Sequence, residues 1–174
     1  MLQMERDAPM TRETAAYTAV SNALWVQRET LQTLLYRLVS EKLVLISGST
    51  RWLPRADDEV RAAVEQLRGG ELMRAAEVEE LTRILGLQPD ASLAEIAAAS
   101  QEPWNTLLAD HRTALRSLAF EVQAVADENQ HLLDAGSKAV AETLAEISNV
   151  VTSYDATGRA VRGHARAMFL DEQA

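Results

Sequence analysis

The chain has 174 residues, 47% of them hydrophobic and 25% charged, and its 26 acidic against 17 basic residues give a formal net charge of −9. That length buries a core without covalent staples, and the lack of cysteine removes disulfides, thiol nucleophiles and Cys-ligated zinc. The acidic balance argues against a nucleic-acid footprint and against adhesion to an anionic membrane surface.

The longest uncharged stretch, Thr14 to Gln27, includes Thr18, Ser21 and Asn22 and is shorter than the roughly 18 apolar residues of a membrane span. Glu5 and Asp7 near the start, with no hydrophobic h-region, give no sign of a secretory leader. The expectation is a soluble, cytoplasmic protein with no membrane insertion and no nucleic-acid partner.

In chain order, residues 1–12 read as a flexible lead-in with Pro9 as its last breaker. A first helix then runs from about Arg12 to Ser47. Leucine recurs every seventh residue through Leu24, Leu31, Leu38 and Leu45, with Tyr17 one step earlier, and the Ser47-Gly48-Ser49-Thr50 cluster supplies the stop. At 1.5 Å per residue this helix is about 50 Å long. Pro54 places a second start near Leu53 to Arg55. The apolar set Val60, Val64, Leu67 keeps its phase with Val78, Leu81 and Leu85 across Gly69-Gly70. One helix crossing the glycines is therefore expected, with a bend or opening there, because two glycines cost about 2 kcal/mol in helix propensity. Gly86 followed by Leu87 and Pro89 reads as a left-handed cap and stop.

Ser92-x-x-Glu95 is a capping-box pattern opening a short helix from Leu93 to Ala99. Ser100 is expected to cap a last long helix from Gln101 to about Asn149, with Pro103 in its first turn; straight, it is on the order of 70 Å long. Its stripe runs through Trp104, Leu108, His111, Leu115, Leu118, Val122, Val125, Asn129 and Leu132, and then shifts to Leu133, Val140, Leu144, Ile147 and Val151. From Thr152 onward a flexible tail carries Arg159, Arg162, His164 and Arg166. The fold class is all-α: an elongated antiparallel helical bundle, coiled-coil-like, with one short connecting helix. Its domains are residues 1–12 (flexible), 13–151 (bundle) and 152–174 (flexible tail).

Glu128-Asn129-Gln130-His131 matches one Glu-x-x-His element, but a carboxylate dimetal site needs two, plus two further core glutamates. Neither His111 nor His164 has a glutamate three residues before it. Asp110-His111 lacks a positioned partner, so His111 reads as a hydrogen-bonded core or rim residue. There is no Gly-x-Ser-x-Gly elbow and no phosphate-binding glycine loop. No enzyme, no cofactor and no metal site are expected. Asn129 reads either as a stripe-edge polar residue or as a register-fixing one. Trp25, Trp52 and Trp104 read as packing anchors at helix ends.

The order and spacing of several short elements carry a more specific likeness. Leu24-Trp25, Arg28-Glu29 and Leu31-x-x-Leu34-Leu35 resemble the first helix of the flagellar export chaperone FlgN family. Further matches are Arg51-Trp52-Leu53, Glu59-Val60, Leu85-Gly86-Leu87, Glu102-Pro103-Trp104-x-x-Leu107-Leu108-x-Asp110-His111-Arg112, Asn129-x-x-Leu132-Leu133 and Tyr154-Asp155. The likeness spans about residues 14 to 157. It implies a chaperone that binds the C-terminal helical regions of the flagellar hook-filament junction (hook-associated) proteins, stops them assembling early and hands them to the type III export gate. It also implies client binding toward the C-terminal end, and the likeness stops short of the arginine-bearing tail after Gly158.

The alternative is a structural coiled-coil adaptor whose stripes serve homodimerisation, at most weak in a chaperone. The expected partner-binding residues are Asn129, Leu132, Leu133, Val140, Leu144, Ile147, Val151 and Tyr154, because a face rotated away from the upstream stripe lacks an internal partner.

Overall fold

The computed structural model describes the backbone over residues 4–152 and the side chains over residues 12–147. Four helices follow one another: α1 (Met4–Ser47), α2 (Leu53–Ile84), α3 (Leu93–Ala99) and α4 (Trp104–Thr152). There is no strand among the described residues, and the fold is all-α. The chain divides into two compact units, residues 1–132 and 133–174; α4 begins in the first and ends in the second.

The seven-residue stripe forms the inner face of α1. Tyr17, Leu24, Leu31 and Leu38 are buried, and Leu45 is half-buried. The helix begins at Met4 rather than near Arg12, so Pro9 lies inside its second turn. A proline this near the start removes only one hydrogen bond that the helix would otherwise make. At the other end Gly48 adopts φ +66°, which a side chain would strain, and its N–H reaches the Leu45 carbonyl.

α2 runs back along α1, and polar pairs mark the antiparallel register: Arg12 with Glu80, Gln27 with Glu71, and Arg37 with Glu59. The helix continues through Gly69-Gly70 without the expected opening, and the inward phase is kept on both sides. Its end is a Schellman cap. Gly86 turns at φ +67°, its N–H meets the Arg83 carbonyl, and the Leu87 N–H meets that of Thr82.

Ser92 and Glu95 form the reciprocal capping box that opens α3. Ser100, however, does not cap α4. Its hydroxyl donates to the Ile96 carbonyl and accepts from the Tyr17 hydroxyl, ending α3 and tying it to α1. Pro103 disfavours a helical Glu102, and α4 accordingly starts at Trp104 rather than Gln101.

Within the first unit α4 runs parallel to α1. Trp104 stacks on Tyr17 with ring centroids 5.0 Å apart, Ser21 meets His111, and Lys42 pairs with Glu128. Two apolar clusters fill the bundle. One gathers Val20, Leu24, Leu81, Ile96 and Leu108, and the other gathers Leu34, Leu38 and Ala63 with Val60, Val64, Val122 and Val125 around them. Truncating a fully buried leucine in such a cluster costs about 2–5 kcal/mol. Leu24→Ala should therefore lower the unfolding free energy in urea by that amount. Leu72→Ala, at a side chain 75% exposed, should stay within about 0.5 kcal/mol; similar losses at both would contradict the assigned faces.

Candidate partner-binding surfaces

The far part of α4 carries the apolar face expected to meet a partner. Val140, Leu144 and Ile147 are 60%, 58% and 53% exposed, and their four- and three-residue spacing puts them on one side of the helix. Leu132 and Leu133 are half-buried. The backbone of Val151 is helical, but its side chain, and Tyr154 altogether, lie outside the described residues. The stretch between Leu133 and Val140 contains Gly136, which meets no neighbouring atom where a Cβ would stand.

Asn129 does not belong to that exposed face. It is 2% exposed, and its Nδ2 donates to the Leu38 carbonyl at 2.9 Å and to Glu41 Oε2 at 2.8 Å. Glu41 is itself buried. A buried amide with partners on the facing helix penalises any slip of α4 along α1, because the slip would strand both polar groups in an apolar setting. Asn129 is thus a register lock of the bundle. Glu128 next to it is engaged by Lys42, His131 is exposed, and no cluster of metal-ligating side chains occurs among the described residues.

His111 is the other polar member of the inner stripe and is 1% exposed. Its Nε2 lies 3.3 Å from Ser21 Oγ, its Nδ1 is buried without a hydrogen-bond partner, and the Trp25 ring meets it edge-on at 5.2 Å. The Arg28 guanidinium covers the Trp25 ring at 4.3 Å. Burial, and then the Arg28 charge, push the His111 pKa below its ordinary value, with Asp110 opposing. Trp25 is therefore a mid-helix platform, half exposed, rather than an end anchor. Trp52 is also half exposed, with Arg51 over its ring, and of the three tryptophans Trp104 stacks on the core.

Two surface features have no counterpart in the expected site. The outer side of α1 carries Tyr36, Val39, Leu43 and Ile46, all 40% exposed or more, at three-four spacing. α1 is thus apolar on two opposite faces, and the leucine heptad masks the second one. On α2, residues 70–74 invert the usual pattern. Gly70, Glu71 and Arg74 lie on the half-buried inner side, while Leu72 and Met73 are 75% and 67% exposed. Glu71 is held by Arg74 and Gln27, and the Arg74 hydrogen bond keeps its carboxyl below the usual carboxylate range against the opposing effect of burial. The signal was readable: the inner phase of α2 passes through Gly70, Glu71 and Arg74 once Leu67 and Val78 are assigned to it.

These features define an all-helical bundle that leaves several apolar helix faces exposed. The family model described as FlgN protein matches residues 10–162, and the chain belongs to the FlgN family of flagellar export chaperones. Neither the curated proteins nor the solved structures contain a match to it. Among the described residues no helix is long and apolar enough to cross a membrane.

The buried imidazole makes stability depend on pH in a stated direction. The folded chain keeps His111 neutral below the ordinary 6.5 at which the unfolded chain protonates. This contribution is complete above that value, and it declines as pH falls toward the lowered folded pKa, because the unfolded state then binds more protons. Between about pH 7 and about pH 5.5 the wild type should lose unfolding free energy faster than His111→Gln. Equal slopes for the two proteins would place the titration elsewhere.

Proposed function

We propose that this chaperone acts in the cytoplasm by holding a C-terminal helical region of a hook-filament junction protein on the far part of α4. In doing so it prevents premature assembly and delivers the client to the type III export gate. The observation that carries this reading is the unpartnered stripe Val140, Leu144 and Ile147, on a stretch where every described side chain from Asp134 to Ile147 is exposed. An amphipathic client helix buries apolar anchors at the same three-four spacing, which is helix-in-groove recognition. Family membership supports the chaperone role.

A second reading, homodimerisation, draws on the outer α1 strip of Tyr36, Val39, Leu43 and Ile46, since a helix apolar on two faces is commonly covered on both. Sedimentation over a range of concentrations separates the two: a self-associating chain stays dimeric at low micromolar levels, whereas a chaperone binds its client one-to-one.

The decisive variant is Leu144→Asp combined with Ile147→Asp. Calorimetric titration with the client segment should show affinity about 10- to 100-fold weaker, with the melting temperature unchanged because both side chains are exposed. Unchanged affinity with an intact fold contradicts the site. A collapse in melting temperature shows instead that this face is internal.

A further inference from the structure

The buried apolar residues of the first unit gather in two clusters. Leu31, although buried, belongs to neither; it lies on the floor of a groove of about 560 Å³ formed by α1, α2 and α4. Leu67, Leu115 and Ala119 complete that floor, and Arg68 and Arg116 stand among its lining residues. Of the polar stretch on the inner side of α2, Glu71 lines this groove one turn after Leu67, where the inner phase would otherwise place an aliphatic side chain, and it is bonded to Gln27 across the gap. Gly69 and Gly70 meet no atom where a Cβ would stand, so close helix packing is not what requires them.

Charge decides what such a groove accepts. Glu71 contributes no free carboxylate, since Arg74 and Gln27 engage it. Among the described residues Arg68 has only the exposed pair with Glu65 on its own helix, which is worth little. Arg116, and Arg112 one turn before it, make no ion pair among the described residues. On a chain of net charge −9, this is an apolar floor beside free positive charge. Within the groove Gln27 adds a buried Oε1 that no donor satisfies. Apolar centre and charged rim are the arrangement of an interface anchor.

We infer that this groove is a second anchor point for the client: it takes one turn of an amphipathic helix that carries carboxylates beside its apolar strip. The inference rests on the chaperone reading above and adds a site in residues 1–132, separate in sequence from the stripe at 140–147.

The test titrates the C-terminal helical segment of a hook-filament junction protein into four forms of the full chain. These are the wild type, Arg116→Glu, Ala119→Trp (which plugs the groove from an exposed position) and the Leu144→Asp, Ile147→Asp double variant. Arg116→Glu and Ala119→Trp should each weaken binding about tenfold with unchanged melting temperature, and the drop in affinity with added salt should be shallower for Arg116→Glu than for the wild type. No binding to the wild type overturns the chaperone reading and this inference with it. Wild-type binding that falls only in the double variant overturns the groove and leaves the α4 stripe standing. If one groove variant is misfolded, the other decides by the same criterion.

Discussion

The first unit depends on a polar contact rather than on an apolar one. Hydrophobic stripes at three-four spacing tolerate sliding by a turn, because one leucine replaces another at nearly the same height. The Asn129 amide, bonded to the Leu38 carbonyl and to buried Glu41, removes that freedom at one end of α1 and α4. The Tyr17 hydroxyl on Ser100, with Trp104 stacked on Tyr17, removes it at the other. Between these two fixings lie His111 against Ser21 and the groove over Leu31. A groove bounded by three helices keeps its shape only if none of them slides, so any site built there inherits its geometry from the locks.

The elements that were legible in the sequence are those governed by local chemistry. Ser92 and Glu95 are three residues apart and cap one another whatever the rest of the chain does. Gly86 turns left-handed because Leu87 and Pro89 follow it, and the heptad leucines of α1 point inward as a stripe must. Ser100 shows the limit of that reasoning. Its type suits a helix start, but its hydroxyl is taken by Tyr17, 83 positions away in the chain, and no local pattern announces that partner. Asn129 fits both the register reading and a place on the partner face until Glu41 and Leu38 are seen against it.

The candidate surfaces divide in the same way. The exposed stripe at Val140, Leu144 and Ile147 followed from a shift of phase along α4, which is a property of the sequence. The groove did not, because a gap is made by what three helices fail to bring to one level. Its α2 contribution alone was readable, in the polar residues that stand on the inner phase at 70–74. The outer α1 strip was hidden for another reason: a strong heptad assigns each apolar residue near it to the core, and Val39 sits one position after Leu38.

The parallel course of α1 and α4 has a consequence for the order in which the chain can fold. Antiparallel α1 and α2 meet through pairs 22, 44 and 68 residues apart, whereas α1 and α4 meet through pairs 86, 90 and 91 residues apart. On a chain growing from its N-terminus, the α1–α2 hairpin is complete while every contact of the third long helix is still unmade. Until Trp104 and its neighbours arrive, the hairpin holds Leu24 and Leu38 on an open face, and closing it requires the longest loops in the unit. The nascent protein therefore passes through a stage in which it displays apolar helix surface that its own last long helix later covers.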